Sequence, residues 1–475
     1  MKIPLFSLLL LTVPAFGAGA AQNAVERLAS GPGMRNASWG LDVEDAAGKT
    51  IVARDPDLSL APASTLKLFV TAAALDRFGP EKRFSTRLYY DGNLSGGTLE
   101  GNLYIKGGGD PSLGSRLVRG AKPMEAVFAD WAAAVKDAGI RAIKGAVVGD
   151  DSAFDSVQPG SWAWEDIGNY YAAQPSALTI NDGLYELYFK PAEKAGDAAA
   201  VLRTEPPVPG LSFEDHMKTG PAGSGDDGYI YAFPGQFRAV LRGTIPQGRP
   251  EFAIKGALPD PALFAAQAFG AYLSSAGVLQ SRAPARGAPP PGDRLTQVAE
   301  TYGAPLKEIV RVTNKRSFNL YAELLLRQLG AGDPAAGLEA VRNFLSRNGA
   351  DVSELKLSDA CGLSWRDAVK ARNFSRLLVS LLGKGYFPEF RDSLVFPGDP
   401  DATGHVRKMG LGTPLEKDLR LKSGSINGVR SYAGYLRTRK GRTLAFAFIV
   451  NNYSSPGGDM DALAQELLLE LYKDY

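Results

Sequence analysis

A single cysteine, Cys361, in 475 residues excludes any intramolecular disulfide, so stability has to come from buried cores. Histidine is almost as scarce. His216 and His405 lie far apart with no acidic ligand cluster at the usual spacing, which argues against a zinc hydrolase or a Ser-His-Asp triad. Neither sign of charge dominates, with 53 Lys and Arg against 51 Asp and Glu, so the chain carries no electrostatic footprint for nucleic acid. Beyond the first residues no run approaches membrane-spanning length. Met1-Lys2, an apolar stretch from Ile3 to Phe16 and small residues at Ala18 and Ala20 read as a secretory signal peptide over 1–21 with cleavage near Ala20, or, in the alternative, as an uncleaved anchor. No cysteine follows for a lipid anchor, and the mature chain is expected to be soluble outside the cytoplasm.

What is present is a globular composition, 45% apolar and 22% charged, at a length that suggests two to four domains. The chain is organised around Ala61-Pro-Ala-Ser64-Thr-Leu-Lys67 and the apolar run that continues to Leu75 before Gly79-Pro80 ends it. This pattern predicts a turn running into a buried helix. A serine at the mouth of such a helix sits among unpaired N–H groups and the positive end of the dipole. Lys67, three residues on, shares its face one turn down, and burial there disfavours the ammonium, so a neutral amine can serve Ser64 as general base. The plainer alternative is a capping serine. S-x-x-K recurs at Ser353-Glu-Leu-Lys356, without an apolar helix behind it.

Around this stretch, Ala37–Asp45 and Thr50–Arg54 read as a β-hairpin. From Phe84 short glycine-broken strands follow, with an amphipathic helix over Pro123–Ala138 among them. Gly107-Gly-Gly-Asp110 reads as a turn and not as a phosphate loop, since no Lys-Ser/Thr follows. The aromatic stretch from Trp162 to Leu178 reads as packing where two modules meet, with a carbohydrate or peptide platform as the alternative. Residues 186–248 fit a small β insert, and Arg286-Gly-Ala-Pro-Pro-Pro-Gly292 is the clearest linker. Helices are expected at Pro305–Val312, Ser317–Leu329 and Pro334–Asn348, then strands at Leu419–Ser423, Ser431–Arg437 and Arg442–Val450, and a final helix over Asp459–Tyr472. Those three strands can pair with the first hairpin, which would put both ends of the chain in one sheet.

Two further patterns join the first. Ser317-Phe-Asn319 places a hydroxyl and an amide at the start of a helix, and Lys422-Ser423-Gly424-Ser425 places a lysine beside a hydroxyl on a strand, with a glycine that makes room for a substrate backbone. Each has a plainer reading, as a helix cap and as an exposed edge charge. Together, S-x-x-K, S-x-N and K-S-G form the set of penicillin-recognising serine enzymes. With Lys106–Leu113, Gly149–Asp155, Trp164–Leu178 and Ser317–Glu323, the chain resembles the D-alanyl-D-alanine carboxypeptidase/endopeptidase family of penicillin-binding protein 4 type, in which a large insert separates the first two motifs.

The resemblance implies an α+β fold: a penicillin-recognising serine-transferase domain, an antiparallel sheet flanked by helices, with large inserted β-rich domains. The expected division is 22–82 with 293–475 for the peptidase domain, 83–185 with 249–292 for an inserted α+β domain, and 186–248 for a nested β domain. It implies Ser64 as acylated nucleophile, Lys67 as base, Ser317 with Asn319 as proton relay and amide contact, and Lys422, Ser423 and Gly424 as holders of the substrate carboxylate. The N–H groups of Ser64 and Ser425 would form the oxyanion hole. Ser423 stands where threonine is commoner, Phe318 is expected to face away, and Cys361, which replaces a serine in Ser358-Asp-Ala-Cys-Gly-Leu-Ser364, is expected to be packed. The implied protein is a periplasmic D-Ala-D-Ala carboxypeptidase or D,D-endopeptidase, with peptidoglycan stem peptides and β-lactams as partners and no cofactor or metal. Membrane association would be at most peripheral, and a homodimer is left open. The rivals are a same-fold esterase or β-lactamase, and a non-catalytic cell-wall-binding protein.

Overall fold

In the computed structural model, which describes residues 19–292 and 294–475, the first hairpin and the last three strands form one antiparallel sheet. Its order is Thr50–Arg54, Ser38–Asp45, Thr443–Asn451, Val429–Arg437, Leu419–Ile426, as expected from the alternation in those runs. The register sets Trp39 opposite Val450 and Val43 opposite Phe446. Alternation along Thr443–Asn451 divides the core in two: Leu444, Phe446, Phe448 and Val450 pack with the helices Ala20–Ser30 and Gly457–Asp474. Ala445, Ala447 and Ile449 face the helices Lys67–Phe78, Asn319–Leu329 and Ala371–Leu381. Small alanines on that face let the Ser64 helix come close to the sheet.

Most of the middle of the chain builds further sheets. One runs Ala285–Arg286, Val147–Asp150, Leu103–Lys106, Ser85–Tyr90, Thr296–Tyr302, and its apolar face shares a core with the helices Met124–Asp137 and Pro261–Ser275. Strands between Leu184 and Ala257 build three further small sheets.

Three features depart from the sequence reading. The proline-rich run at 286–292 joins strands at the two edges of one sheet, because Thr296–Tyr302 pairs with Ser85–Tyr90. That strand lies beyond residue 292, where the sequence placed the boundary. Ala371–Leu381 is a helix with no counterpart in the reading, and so is Ala20–Ser30, which starts inside the stretch taken for a leader. The signal-peptide reading otherwise falls outside the described residues. Among the described residues no helix is long and apolar enough to cross a membrane.

Candidate active site

Ser64 lies in a single 3-10 turn, Ala63–Leu66, that runs into the helix Lys67–Phe78, whose residues from Lys67 to Leu75 are all buried. Lys67 Nζ donates to Ser64 Oγ at 2.9 Å and to the Cys361 carbonyl at 2.7 Å. Burial of Lys67 lowers its pKa, while the neighbouring Cys361, Asp359 and Glu323 oppose the shift. The residue before the nucleophile, Ala63, has φ +46°, a strained conformation held by two close approaches. A Cβ on Gly362 would meet the Ala63 carbonyl at 1.9 Å, and one on Gly424 would lie 2.8 Å from Ser64 N. Both glycines are therefore conditions for the shape of the nucleophile turn.

The other two motifs close the same site. Lys422 Nζ donates to Ser317 Oγ at 2.9 Å and to the Ser423 carbonyl. Lys422 is buried, and burial followed by the charge of Lys67 holds its pKa well below the ordinary value. Ser317, at φ +55°, stands ahead of the helix Asn319–Leu329, and the residue at that helix's N-cap, Phe318, makes no side-chain cap. Phe318 is buried against Tyr321, as expected, while Asn319 Nδ2 donates to the Tyr171 carbonyl at 2.7 Å. Ser64, Ser317, Asn319, Ser423 and Ser425 all line one cleft of about 510 Å³, with Gly424 beneath at the nucleophile turn.

Sequence reasoning missed the opposite wall. Glu165, Asp166, Tyr170, Tyr171 and Tyr229 come from the inserted segment, and Arg316, Trp365 and His405 complete the rim. The one signal for them was the aromatic stretch after Trp162, which divides into two roles. Trp162 is buried and donates from Nε1 to Asp359 at 2.8 Å, which is packing between modules, whereas Trp164 is 60% exposed and rests on Tyr231. Burial raises the Asp166 carboxyl. His405, set aside in the sequence, faces the cleft with its pKa lowered by burial.

The remaining motifs are structural. The Gly107–Asp110 run carries the insert's backbone onto the Asn319–Leu329 helix, where Gln328 Nε2 donates to the Gly108 carbonyl at 2.7 Å. A Cβ on Gly109 would strike the Phe154 ring at 2.1 Å. The second S-x-x-K is no site: Ser353 is exposed and bonds Asp351, and Lys356 pairs in a β-bridge with Ala368. Cys361 is buried, and burial pushes its thiol well above the usual range, so it is packed.

The chain matches the D-Ala-D-Ala carboxypeptidase 3 (S13) family over residues 21–467. It is 30% identical over 461 residues to a D-alanyl-D-alanine carboxypeptidase of Actinomadura sp. (strain R39), covering 93% of this chain and 83% of that one. It is 25% identical over 436 residues to the D-alanyl-D-alanine carboxypeptidase DacB of Haemophilus influenzae, covering 86% of each. Its fold is similar to the crystal structure of penicillin binding protein 4 (dacB) from Haemophilus influenzae, with a TM-score of 0.81 at 21% identity, over 95% of this chain and 99% of that one. A second structure of that protein, complexed with a β-lactam, gives a TM-score of 0.75, with the same identity and coverage. With its three motifs gathered in one cleft and the family match spanning nearly its whole length, the chain belongs to the S13 family of D-Ala-D-Ala carboxypeptidases.

Proposed function

We propose that the protein is a serine-type D-Ala-D-Ala carboxypeptidase with D,D-endopeptidase capacity, acting on peptidoglycan stem peptides and acylated by β-lactams. The observation that carries this reading is the pair of contacts whose serines line one cleft, Lys67 Nζ on Ser64 Oγ and Lys422 Nζ on Ser317 Oγ. Ser64 Oγ attacks the carbonyl carbon of the penultimate D-alanine while Lys67 takes the hydroxyl proton. The oxyanion forms against the N–H groups of Ser64 and Ser425, and the C–N bond breaks as Ser317, backed by Lys422, hands a proton to the leaving amine and recovers one from the Lys67 ammonium, which leaves Lys67 neutral again. Lys422, Ser423 and Gly424 hold the terminal carboxylate, and Asn319 orients the peptide. Water, deprotonated by Lys67, then hydrolyses the ester and restores Ser64.

A periplasmic location is part of this proposal, supported by the substrate and by the leader-like first residues. Sedimentation of the purified protein would reveal a homodimer, and flotation with vesicles any peripheral membrane attachment.

The test is intact-protein mass after incubation with benzylpenicillin, with peptide mapping, alongside release of D-alanine from a D-Ala-D-Ala stem peptide. A single adduct on the Ser64 peptide, absent in Ser64→Ala, is expected. A Ser64→Ala protein that still released D-alanine would overturn the assignment, and steady-state rates on penicillin against peptide separate a β-lactamase from a peptidase.

A further inference from the structure

Besides Tyr321 and Gln328, the largely apolar helix Asn319–Leu329 carries a polar stripe of three residues one turn apart: Asn319, Glu323 and Arg327. Asn319 faces the cleft. Glu323, completely buried one turn below, lies behind the catalytic lysine. Its Oε1 accepts from the backbone N–H of Ala360 at 2.8 Å and of Cys361 at 3.1 Å. The carbonyl of Cys361 in turn accepts from Lys67 Nζ at 2.7 Å. One buried carboxylate thus grips the two backbone N–H groups just ahead of the carbonyl on which the base hangs.

The grip is itself anchored. Arg327, 1% exposed, lies 3.4 Å from Glu323 Oε2 and donates to the carbonyls of Asp155 and Val157 in the inserted segment. Asp359, at the head of the same turn, accepts from the N–H groups of Gly362 and Ser364 and from the Trp162 indole. Glu323, Asp359 and Cys361 lie close together, and the donors named here occupy Glu323 Oε1 and both oxygens of Asp359, so the cluster is turned inward on its own turn.

We propose that Glu323 is a positioning residue for acylation: by holding the N–H groups of Ala360 and Cys361 it fixes the Cys361 carbonyl that keeps Lys67 Nζ on Ser64 Oγ, and its charge acts on that amine. This rests on the reading of Ser64 and Lys67 given above. The charged and titratable groups around Lys67 are Lys422 on the strand Leu419–Ile426, Asp359, Cys361 and Asp367 on the 359–367 turn, and Glu323 with Arg327 on the helix. Of these, Cys361, Asp359 and Glu323 raise the lysine's pKa against the lowering effect of burial. Burial and Asp359 push the Glu323 carboxyl itself up to about 7, with Arg327 opposing.

Two substitutions separate charge from grip. Glu323→Gln keeps the shape and an accepting oxygen and removes the charge. Glu323→Asp keeps the charge and withdraws the oxygen from the Ala360 and Cys361 N–H groups. Second-order acylation by benzylpenicillin is measured from pH 5 to 10, with thermal unfolding as the check on folding. For Glu323→Gln the acid limb is expected to move to lower pH by about half a unit or more, because loss of a nearby negative charge lowers the pKa of Lys67. For Glu323→Asp the limb should stay in place and the plateau fall about 10-fold or more. If Glu323→Gln does not fold, Glu323→Asp decides alone. A wild-type profile in either folded variant overturns the proposal. Absence of acylation in the wild-type protein would instead overturn the underlying assignment of Ser64.

Discussion

Gly424 shows how one missing side chain can matter. A Cβ there would lie 2.3 Å from Ser431 Oγ, 2.7 Å from the Pro62 carbonyl and 2.8 Å from Ser64 N, all part of the nucleophile turn or its support. Gly424→Ala should therefore fold, push the strand and the turn apart, and slow acylation by benzylpenicillin about 100-fold, since a small misplacement at reacting groups is that costly. Stopped-flow acylation beside a melting curve checks it, and an unchanged rate would mean that the turn tolerates the shift. Ser64 and Lys67 were legible in the sequence because three residues on a helix fix their meeting. Glu323 was not: its effect on Lys67 passes through Cys361, 38 residues away, and nothing local marks an acid in an apolar helix as a partner for that turn.

Between elements, the contact of the strand Ser38–Asp45 with the helix Ala371–Leu381 should carry its own pH dependence. Asp42 and Glu44, two residues apart on the same face, are both fully buried. Ser375 donates to Asp42, and Arg376 lies 2.8 Å from Glu44. Burial and the neighbouring Asp42 push the Glu44 carboxyl up to about 7. A carboxyl with a raised folded-state pKa keeps its proton in the native state while the unfolded chain loses it. Stability contributed at Glu44 is therefore lost as pH rises from the ordinary glutamate range through about 7. Glu44→Gln should melt close to the wild-type protein at pH 5 and a few degrees higher at pH 8. Equal melting differences at the two pH values would refute this. The same helix explains a gap in the sequence reading. Its stripe Phe374, Leu377, Leu378 and Leu381 has helical spacing, but the buried Asn373 and Ser375 break the pattern, because their partners, the Asp351 carbonyl and the Asp42 side chain, lie on other elements.

Across the whole molecule, the helix Asn319–Leu329 is where the inserted segment meets the catalytic sheet. Asn319 bonds the Tyr171 carbonyl, Tyr321 bonds Ser115 and Asp182, Arg327 holds the carbonyls of Asp155 and Val157, and Gln328 holds those of Gly108 and Gly109. Tyr321→Phe strips the Asp182 carboxylate, already raised by burial, of one donor. A loss of about 1–3 kcal/mol on denaturant unfolding is expected, the cost of an under-satisfied buried acceptor. Because Thr296–Tyr302 completes the insert's sheet, we propose 22–82 with 303–475 against the inserted segments as folding units; pulse proteolysis of Tyr321→Phe should release the insert before the sheet. The three motifs and the sheet shared by both chain ends were readable as patterns of residue type and alternation. The acidic and aromatic wall of the cleft was not, because its residues come together only when the insert docks on this helix.

The helix at the start of the described chain lies against the last one, with the Ala21 N–H donating to Asp474 Oδ2 at 2.8 Å, on the sheet face turned away from the Ser64 helix. Residues 20 and 475 are thus near enough for a short glycine linker to join them. A circular permutant closed there and opened at the exposed Gly223-Ser224-Gly225 tip should still take up benzylpenicillin at Ser64, so the order in which the chain is made is separable from the architecture that catalyses.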